Sequence, residues 1–249
     1  MIVLKTPKEI EIMREAGRLA ARVLRALEAE ALPGVTTADL DRLAERLITE
    51  AGAVPAFKGY RGFPATICTS INEQVVHGIP GPRVLRSGEL LSIDVGVRYG
   101  GYYGDASVTF AVGGRADRRA SRLMEAGKGA LAAGIEKAVP GGRLSDISHA
   151  IQSFAEGRGF SVVRDYVGHG IGQAMHEDPQ VPNFGPPGQG PLLKPGMVLA
   201  IEPMVNEGDY AVTCLKDGWT VVTVDRKRSV HYEHTVAVTE DGPFILTLP

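Results

Sequence analysis

Residues 90–110 read LLSIDVGVRYGGYYGDASVTF, and this stretch decides the fold. Two runs rich in β-branched residues flank a Gly- and Tyr-rich centre, a pattern that predicts a β-hairpin. Because side chains alternate along a strand, Asp94 shares a face with Ser92 and Gly96, while the apolar residues between them face the other way. Asp105 opens the returning strand. A carboxylate in an apolar strand is costly unless it is paired or binds a metal, so the hairpin predicts a cationic group between its two aspartates.

The same pattern recurs in the second half of the chain. Residues 85–97 (LRSGELLSIDVGV) match residues 193–205 (LKPGMVLAIEPMV), which makes Asp94 and Glu202 equivalent positions of a duplicated fold. Glu233 opens a later β-rich run and is the counterpart of the second hairpin aspartate. Two halves that face each other would bring four carboxylates to one centre. The alternative is a chance similarity between amphipathic strands.

The composition is that of an ordinary globular protein. Hydrophobic residues make up 44% and charged residues 22% of the 249 positions. The net charge of −2 argues neither for nor against a nucleic-acid partner. Two cysteines, Cys68 and Cys214, suit a reducing cytoplasm. The start lacks a signal-peptide apolar core, and no apolar run approaches the roughly 20 residues of a membrane span. We therefore expect a cytoplasmic protein with no membrane contact.

Four helices are predicted in two pairs. Thr6 and Glu9 form a capping box that starts the first helix, and Thr36 with Asp39 starts the second. In the second half, apolar residues at helical spacing predict helices over 116–138 and 145–157.

Strands are predicted between and after these helix pairs, over 65–70, around the acid of the second repeat, over 220–224 and over 229–238. A helix pair followed by a sheet, twice, predicts an α+β fold with helices on one face of an antiparallel sheet and the active side on the other. We expect one catalytic domain over 1–249, with two pseudo-symmetric halves at about 6–113 and 116–239.

Four acids and one histidine make up the candidate metal site: Asp94, Asp105, His169, Glu202 and Glu233. Taken singly, each has a plainer interpretation as a salt-bridge, loop or edge residue. Together they suit two divalent ions that share bridging carboxylates better than a structural zinc site, which prefers Cys and His. Oxygen-rich ligation favours Mn, Fe(II) or Co, and Zn also fits.

Other histidines are candidates for proton transfer near neutral pH. His77 and His176 are not needed as ligands. His231 lies two positions before Glu233 and therefore shares its face of the strand, while His234 faces the opposite side and is expected to be structural.

Seven motifs carry a family resemblance: SINEQVVHGIP (70–80), LSIDVGV (91–97), GYYGDAS (101–107), VGHGIG (167–172), MHE (175–177), AIEPMV (200–205) and HYEHT (231–235). In this order they resemble the methionine aminopeptidases, most closely the short bacterial type I enzymes, over essentially the whole chain. The resemblance implies a pita-bread fold with a curved antiparallel sheet. It also implies removal of the initiator methionine from nascent proteins.

The resemblance further implies a metal-binding role for each acid. Asp94 would hold one divalent ion and His169 with Glu202 the second, while Asp105 and Glu233 would bridge them.

Catalytic roles also follow from the resemblance. A metal-activated water would attack the first peptide bond, with Glu202 as its proton acceptor. His176 would hydrogen-bond the tetrahedral oxyanion, and His77 would contact the scissile amide.

The implied substrate pocket consists of Phe57, Tyr60, Phe63, Cys68, His77, Met175, His176 and Trp219. A flexible thioether packs well against aromatic rings, although an aromatic cluster alone indicates ordinary core packing. Two positions depart from the family pattern. Met175 replaces a common Phe, which puts strict methionine preference in doubt. His231 replaces a common Gln, which is expected to alter the surroundings of the metal site.

Partners and further ligands are also implied. Asn72, Gln74 and Ser229 match positions that bind a monovalent cation through backbone oxygens. Ribosome contact through basic residues at 115–122 or 226–228 is implied as well, with solvated surface charge as the plainer interpretation. The short chain, without an insertion or a zinc-binding extension, is expected to be a monomer.

Two other functions fit parts of the pattern. Xaa-Pro aminopeptidases and prolidases share this fold and these ligands but usually carry a large N-terminal domain. A non-catalytic binding module of the same fold would typically have lost metal ligands.

Overall fold

A computed structural model describes residues 1–249 and contains four α-helices and fifteen β-strands. The helices are α1 (Pro7–Glu30), α2 (Thr37–Glu50), α3 (Arg118–Ile135) and α4 (Leu144–Glu156). The strands are β1 (Val54–Pro55), β2 (Cys68–Ile71), β3 (Gln74–Val76), β4 (Leu90–Tyr99), β5 (Tyr102–Ala111), β6 (Ser161–Val162), β7 (Gly168–Gly170), β8 (Glu177–Val181), β9 (Val198–Ile201), β10 (Met204–Asn206), β11 (Val212–Cys214), β12 (Val221–Thr223), β13 (Ser229–His231), β14 (Glu233–Thr239) and β15 (Gly242–Ile245).

Both predicted capping boxes are formed. The hydroxyls of Thr6 and Thr36 accept hydrogen bonds from the backbone N–H groups of Glu9 and Asp39, and the two carboxylates accept from the threonine N–H groups in return. These exchanges satisfy N–H groups that a helix start would otherwise leave without partners. None of the four helices combines the length and apolar character needed to cross a membrane.

A nine-stranded sheet forms the centre of the molecule in the order β1-β4-β5-β14-β9-β7-β8, with β2 paired to β4 and β15 to β14. The predicted hairpin is confirmed, since β4 and β5 pair in register along their whole length. Asp105 is the fourth residue of β5 rather than its first. The sheet is antiparallel and curved, with helices packed against one face, which confirms the predicted α+β class.

Each helix pair covers its own part of the sheet. One core cluster of 19 buried residues lies between α1, α2, β4 and β5, and another of 24 lies between α3, α4, β9 and β14. Val108 of β5 packs against both clusters. The division into equivalent halves at 6–113 and 116–239 stays a prediction.

Some predicted boundaries are wrong by a few residues. The run over 229–238 is two strands, β13 and β14, which belong to different sheets. Between them, Tyr232 N–H donates to the carbonyl of Pro203 at 3.3 Å, so this residue leaves the ladder. Short strands such as β6 and β11 were not predicted because two or three residues cannot show an alternating pattern.

Candidate metal centre and adjoining pocket

The two acids of the central hairpin lie on the same face of the sheet, on neighbouring strands. Asp94 pairs with Ser107 across β4 and β5, and Ser107 pairs in turn with Glu233 on β14. Asp105 lies two residues before Ser107, so it points to the same side. Antiparallel register therefore brings Asp94, Asp105 and Glu233 together, although the three residues are distant in sequence.

The second half contributes the remaining two candidates from strand ends. Glu202 directly follows β9, whose last residue Ile201 pairs with His234, so its carboxylate comes to lie beside Glu233. His169 on β7 pairs with Ala200, two residues before Glu202. The Nε2 atom of His169 is 3.5 Å from Oε1 of Glu202. All five predicted ligands are thus gathered at one place.

The tautomer of His169 suits metal ligation. Its Nδ1 is 2.9 Å from the backbone carbonyl of Gly170, which can only accept, so Nδ1 carries the proton. Nε2 is left with a free lone pair that points towards Glu202 and Asp105, the latter at 4.0 Å. This arrangement, with one nitrogen held by a carbonyl and the other free, is typical of metal-binding histidines.

The acidic oxygens lack the partners that burial demands. Asp94 Oδ1, Asp105 Oδ1 and Glu233 Oε1 are buried and accept no hydrogen bond. Burial, and then repulsion from neighbouring acids, raises the pKa of each of these three carboxyl groups above its ordinary value, and burial alone raises the pKa of Glu202. A site that is costly to ionise calls for cations, and the donor atoms of Asp105, His169 and Glu233 lie within 4.8 Å of one another. The residues fit divalent metal ions.

A cavity of about 140 Å³ opens over these acids. It is lined by fourteen residues: Phe57, Tyr60, Arg61, Phe63, Cys68, His77, Asp94, Asp105, His169, Met175, His176, Glu202, Trp219 and Glu233. Every residue predicted for the metal site and the substrate pocket is in this set. Arg61 is the additional member.

One end of the cavity is apolar. Phe57, Phe63, Cys68 and Met175 are buried and pack together, with Trp219 against them. The rings of Phe63 and Trp219 meet edge to face with centroids 5.1 Å apart. Such walls accept an unbranched apolar side chain and offer favourable sulfur–aromatic contacts to a thioether.

His176 stands between the metal-binding residues and the aromatic wall. Its ring centroid is 4.1 Å from that of His169, and its Nδ1 is 2.9 Å from the hydroxyl of Tyr60. If this hydroxyl donates to Nδ1, the proton of the neutral ring is on Nε2. Burial, and the nearby charge of Arg61, lower the pKa of His176. His176 is therefore a neutral ring with one nitrogen fixed and the other available to substrate.

His77 lies on another wall of the cavity. Burial lowers the pKa of His77 to about 4, so its ring is neutral near pH 7. The backbone φ of His77 is +59°, in the left-handed region that non-glycine residues seldom adopt. Its ring packs edge to face on Tyr166 and Trp219, with centroids 5.7 and 6.3 Å apart. This contact holds the imidazole towards the cavity.

His231 reaches the acids as its strand position predicts. It is buried, and its Nε2 lies 3.6 Å from Oε2 of Glu202 without a hydrogen-bond partner. The hydroxyl of Thr109 accepts from the N–H of His231 at 2.9 Å, which fixes its backbone. His234 faces the reverse side, where its Nδ1 is 2.8 Å from the hydroxyl of Thr247. Both orientations agree with the sequence analysis.

The predicted monovalent-cation residues lie on neighbouring segments. Ser229 N–H donates to the carbonyl of Asn72 at 2.8 Å, and β3, which begins at Gln74, packs against β13. Asn72 has a φ of +54°, which turns its backbone sharply at this point. Cation binding by these residues stays a prediction.

The sequence analysis did not identify two residues that lie at or beside the cavity. Arg61 lines the mouth of the cavity, and Tyr166 packs on His77. The signal for Arg61 was a basic residue within the aromatic loop 57–63, between residues that were themselves assigned to the pocket. Tyr166 precedes the VGHGIG motif and carries no local signal of its own.

A larger cavity, of about 550 Å³, lies on the helical side of the sheet. It is bounded by α1, α3 and the C-terminal segment, and its walls are mainly apolar. Of the five candidate metal ligands, only Glu233 borders it. The site is therefore assigned from its chemistry rather than from cavity size.

Comparison with known proteins agrees with this geometry. The model of metallopeptidase family M24 matches residues 11–240. Methionine aminopeptidase 1 of Bacillus subtilis (strain 168) is 56% identical over 247 residues, which cover 99% of each chain. A methionine aminopeptidase of Clostridium acetobutylicum is 57% identical over 249 residues, covering 100% of this chain and 99% of its own.

Solved structures resemble the fold at two levels. The crystal structure of methionine aminopeptidase from Thermotoga maritima superposes with a TM-score of 0.98 at 48% identity, with both chains fully covered. Prolidase from Pyrococcus furiosus superposes with a TM-score of 0.81 at 25% identity, over 99% of this chain but 66% of its own. The fold is thus the one shared by methionine aminopeptidases and prolidases.

Proposed function

The chain belongs to metallopeptidase family M24, within its bacterial methionine aminopeptidases of the short type, and from this premise we propose that the acid-floored cavity is the catalytic centre. The activity is metal-dependent removal of the N-terminal methionine from nascent proteins. The observation that carries the proposal is the set of buried, partnerless acid oxygens beneath a methionine-sized apolar pocket.

Divalent ions complete this centre. Asp94 would hold one ion, His169 and Glu202 a second, and Asp105 with Glu233 would be shared between the two. Bound ions supply a water made acidic enough to act as a nucleophile near neutral pH, and they polarise the scissile carbonyl. The oxygen-rich donor set with one imidazole suits Mn, Fe(II), Co or Zn. Asn72, Gln74 and Ser229 are proposed to hold an additional monovalent cation.

The protein side chains perform the remaining steps. The methionine side chain enters the apolar end between Phe63, Met175 and Trp219, which places the first peptide bond over the acids. The carboxylate of Glu202 accepts the proton of the attacking water, since it lies beside His169, another proposed ligand, and lines the open cavity.

Two neutral histidines act on the scissile bond. Nε2 of His176 donates to the carbonyl oxygen as negative charge develops there, because Tyr60 occupies its other nitrogen. His77 contacts the leaving nitrogen from the opposite wall.

A peptide panel tests this function. Metal-stripped protein would be mixed with Met-Ala-Ser, Leu-Ala-Ser or Ala-Pro-Ala, and Mn, Co, Fe(II) or Zn would be added back. Cleavage of the methionine peptide alone, only with metal, is the expected result. Added metal should also raise the melting temperature, since 100-fold excess over Kd stabilises by about 2.7 kcal/mol. Cleavage before proline would assign the chain to prolidase chemistry, and no turnover with any metal would contradict the proposal.

Ribosome contact is proposed through one basic surface. Arg118, Arg119, Arg122 and Arg158 surround a cleft of about 430 Å³. Within 226–228, Arg228 is less available, since it pairs with Glu207 and with Asp117, each at 2.6 Å. In the cleft, Arg119 also pairs with Glu207, whereas Arg118 and Arg122 form no ion pair.

The test of this contact is co-sedimentation with ribosomes. The R118Q/R122Q double variant should lose binding at low salt, whereas R226Q should not. Equal retention of both would contradict the assignment. We further propose that the protein acts in the cytoplasm as a monomer, which light scattering would check.

A further inference from the structure

Arg61 is the only lysine or arginine that lines the catalytic cavity. It is exposed to solvent at the mouth, and no acidic side chain pairs with it. Its guanidinium carbon lies 5.4 Å from the ring centre of Tyr60. The floor of the same cavity carries four carboxylates, yet this cation is held at the rim rather than among them. It is therefore available to a ligand that reaches the mouth.

The backbone of the rim loop holds Arg61 in place. Its φ and ψ are 49° and 21°, the left-handed conformation that favours glycine. Two hydrogen bonds close the turn around it, from Gly62 N–H to the carbonyl of Gly59 at 3.2 Å and from Phe63 N–H to the carbonyl of Tyr60 at 2.9 Å. A large side chain kept in a strained conformation at a binding site points to a function for that side chain.

The path of a bound peptide leads past this residue. The methionine side chain fills the apolar end, and the sheet closes the floor, so the chain beyond the scissile bond must leave through the mouth. Tyr60, the neighbour of Arg61, is hydrogen-bonded to His176 at 2.9 Å. In the proposed function His176 holds the scissile carbonyl. Arg61 therefore stands beside the first residues that follow the bond.

We propose that Arg61 is a specificity-determining residue that binds a carboxylate of the substrate downstream of the scissile bond. This inference rests on the proposed function and names a preference within it. A guanidinium presents a planar fork of N–H donors that matches a carboxylate. The carboxylate can come from an acidic side chain at the third residue or from the free C-terminus of a short peptide. Apart from the proposed metal ions on the floor, the cavity offers no other cationic side chain for either group, since no other lysine or arginine lines it.

The test compares kcat/KM for three amidated peptides, Met-Ala-Asp-Ser, Met-Ala-Asn-Ser and Met-Ala-Lys-Ser. Because the pair is exposed to solvent, the Asp peptide should be favoured over the isosteric Asn peptide only about two- to fivefold, with the difference in KM rather than kcat. The ratio should shrink in high salt. The Asp-to-Asn ratio of kcat/KM should fall to about one in Arg61→Gln. In Arg61→Glu, the Lys peptide should have the highest kcat/KM of the three. Free-acid and amidated Met-Ala-Asn identify the terminal carboxylate as a second source.

Lys58→Gln is the matched control. Lys58 is an exposed cation of the same loop, it pairs with Glu45 at 2.6 Å, and it does not line the cavity. Its variant should keep the Asp-to-Asn ratio of the wild type. A wild-type ratio of one for both carboxylate sources, or a ratio unchanged in Arg61→Gln, would overturn the inference while leaving the aminopeptidase activity intact. No cleavage of any methionine peptide would overturn both.

Discussion

The two strand pairs that carry the acids are built differently. β4 and β5 form a hairpin that turns at Gly100 and Gly101 and stays in register along its whole length, and Asp94 lies in its interior. β9 and β14 pair over four positions only, and Glu202 lies just beyond the end of β9. Pro203 follows immediately and has no N–H to continue the ladder.

This difference in strand pairing suggests different roles for the two acids, one as a fixed ligand and one as a proton acceptor. An acid inside a fully paired strand has little freedom, which suits a fixed ligand. An acid at a strand end faces the open cavity and has His169 and His231 as neighbours, which suits a group that also takes up a proton. We therefore expect the first strand pair to supply fixed metal ligands and the second to supply the proton acceptor.

The sharpest way to break this comparison is Glu202→Gln. Loss of the proposed proton acceptor should lower kcat/KM for a methionine peptide by about 10³-fold or more, while the variant remains folded. Asp94→Asn should act first on metal affinity, which titration calorimetry would measure. Comparable activity losses that excess metal fully restores in both variants would contradict the division of roles.

Glycine-to-alanine substitutions test how tightly a helix packs in each half, against β5 in the first and around Tyr232 in the second. A Cβ on Gly104 of β5 would meet the backbone nitrogen of Gly17 on α1 at 2.5 Å, and backbone cannot move aside. A Cβ on Gly127 of α3 would meet side-chain atoms only, of Tyr232 at 2.7 Å and Val230 at 2.8 Å, and side chains yield more readily than backbone. Gly127→Ala also gains helix propensity. Urea denaturation should show a loss of about 3 kcal/mol for Gly104→Ala and about 1 kcal/mol for Gly127→Ala. Equal losses would contradict the comparison.

The first helix of each part offers a smaller test through pH. The backbone N–H of Thr6, and then the hydroxyl of Tyr102, lower the pKa of Glu9 to about 2, whereas Arg228 is the main cause that lowers the pKa of Asp117 to about 2. A lowered carboxyl pKa contributes stability that is present above the unfolded value, near 4, and is lost as the pH falls towards 2.

Denaturation between pH 4.5 and 2 measures both contributions. Glu9→Gln should make the free energy of unfolding depend less on pH in this range, at any salt concentration. Asp117→Asn should have a smaller effect on this pH dependence in 1 M salt than at low salt, since an exposed ion pair is screened. The same salt dependence for both variants would show that Glu9 also depends on a charged partner.

The smallest expected effect is that of His231→Gln. The glutamine amide can replace the imidazole N–H beside Glu202 at similar reach, so kcat/KM should stay within about threefold of wild type. A loss as deep as that of Glu202→Ala would show that His231 has an essential role. Metal titration of the same variant would then show whether that role is ligation.

Much of the site could be predicted from local sequence. The alternation around Asp94 and the repeat that relates it to Glu202 identified the acids. The seven motifs identified the family of the chain. The roles of individual residues were less accessible. Tyr166 and Arg61 reach the pocket from loops that only the folded chain brings there.

The sequence by itself determined the helix starts, the hairpin and the face on which each acid lies, because caps, turns and strand alternation act over a few neighbouring residues. Only the tertiary structure decided that β5 pairs with β14, which joins Asp105 and Glu233 in one centre. Register between distant strands depends on which apolar faces can be buried together across the whole sheet, and no local pattern contains that information.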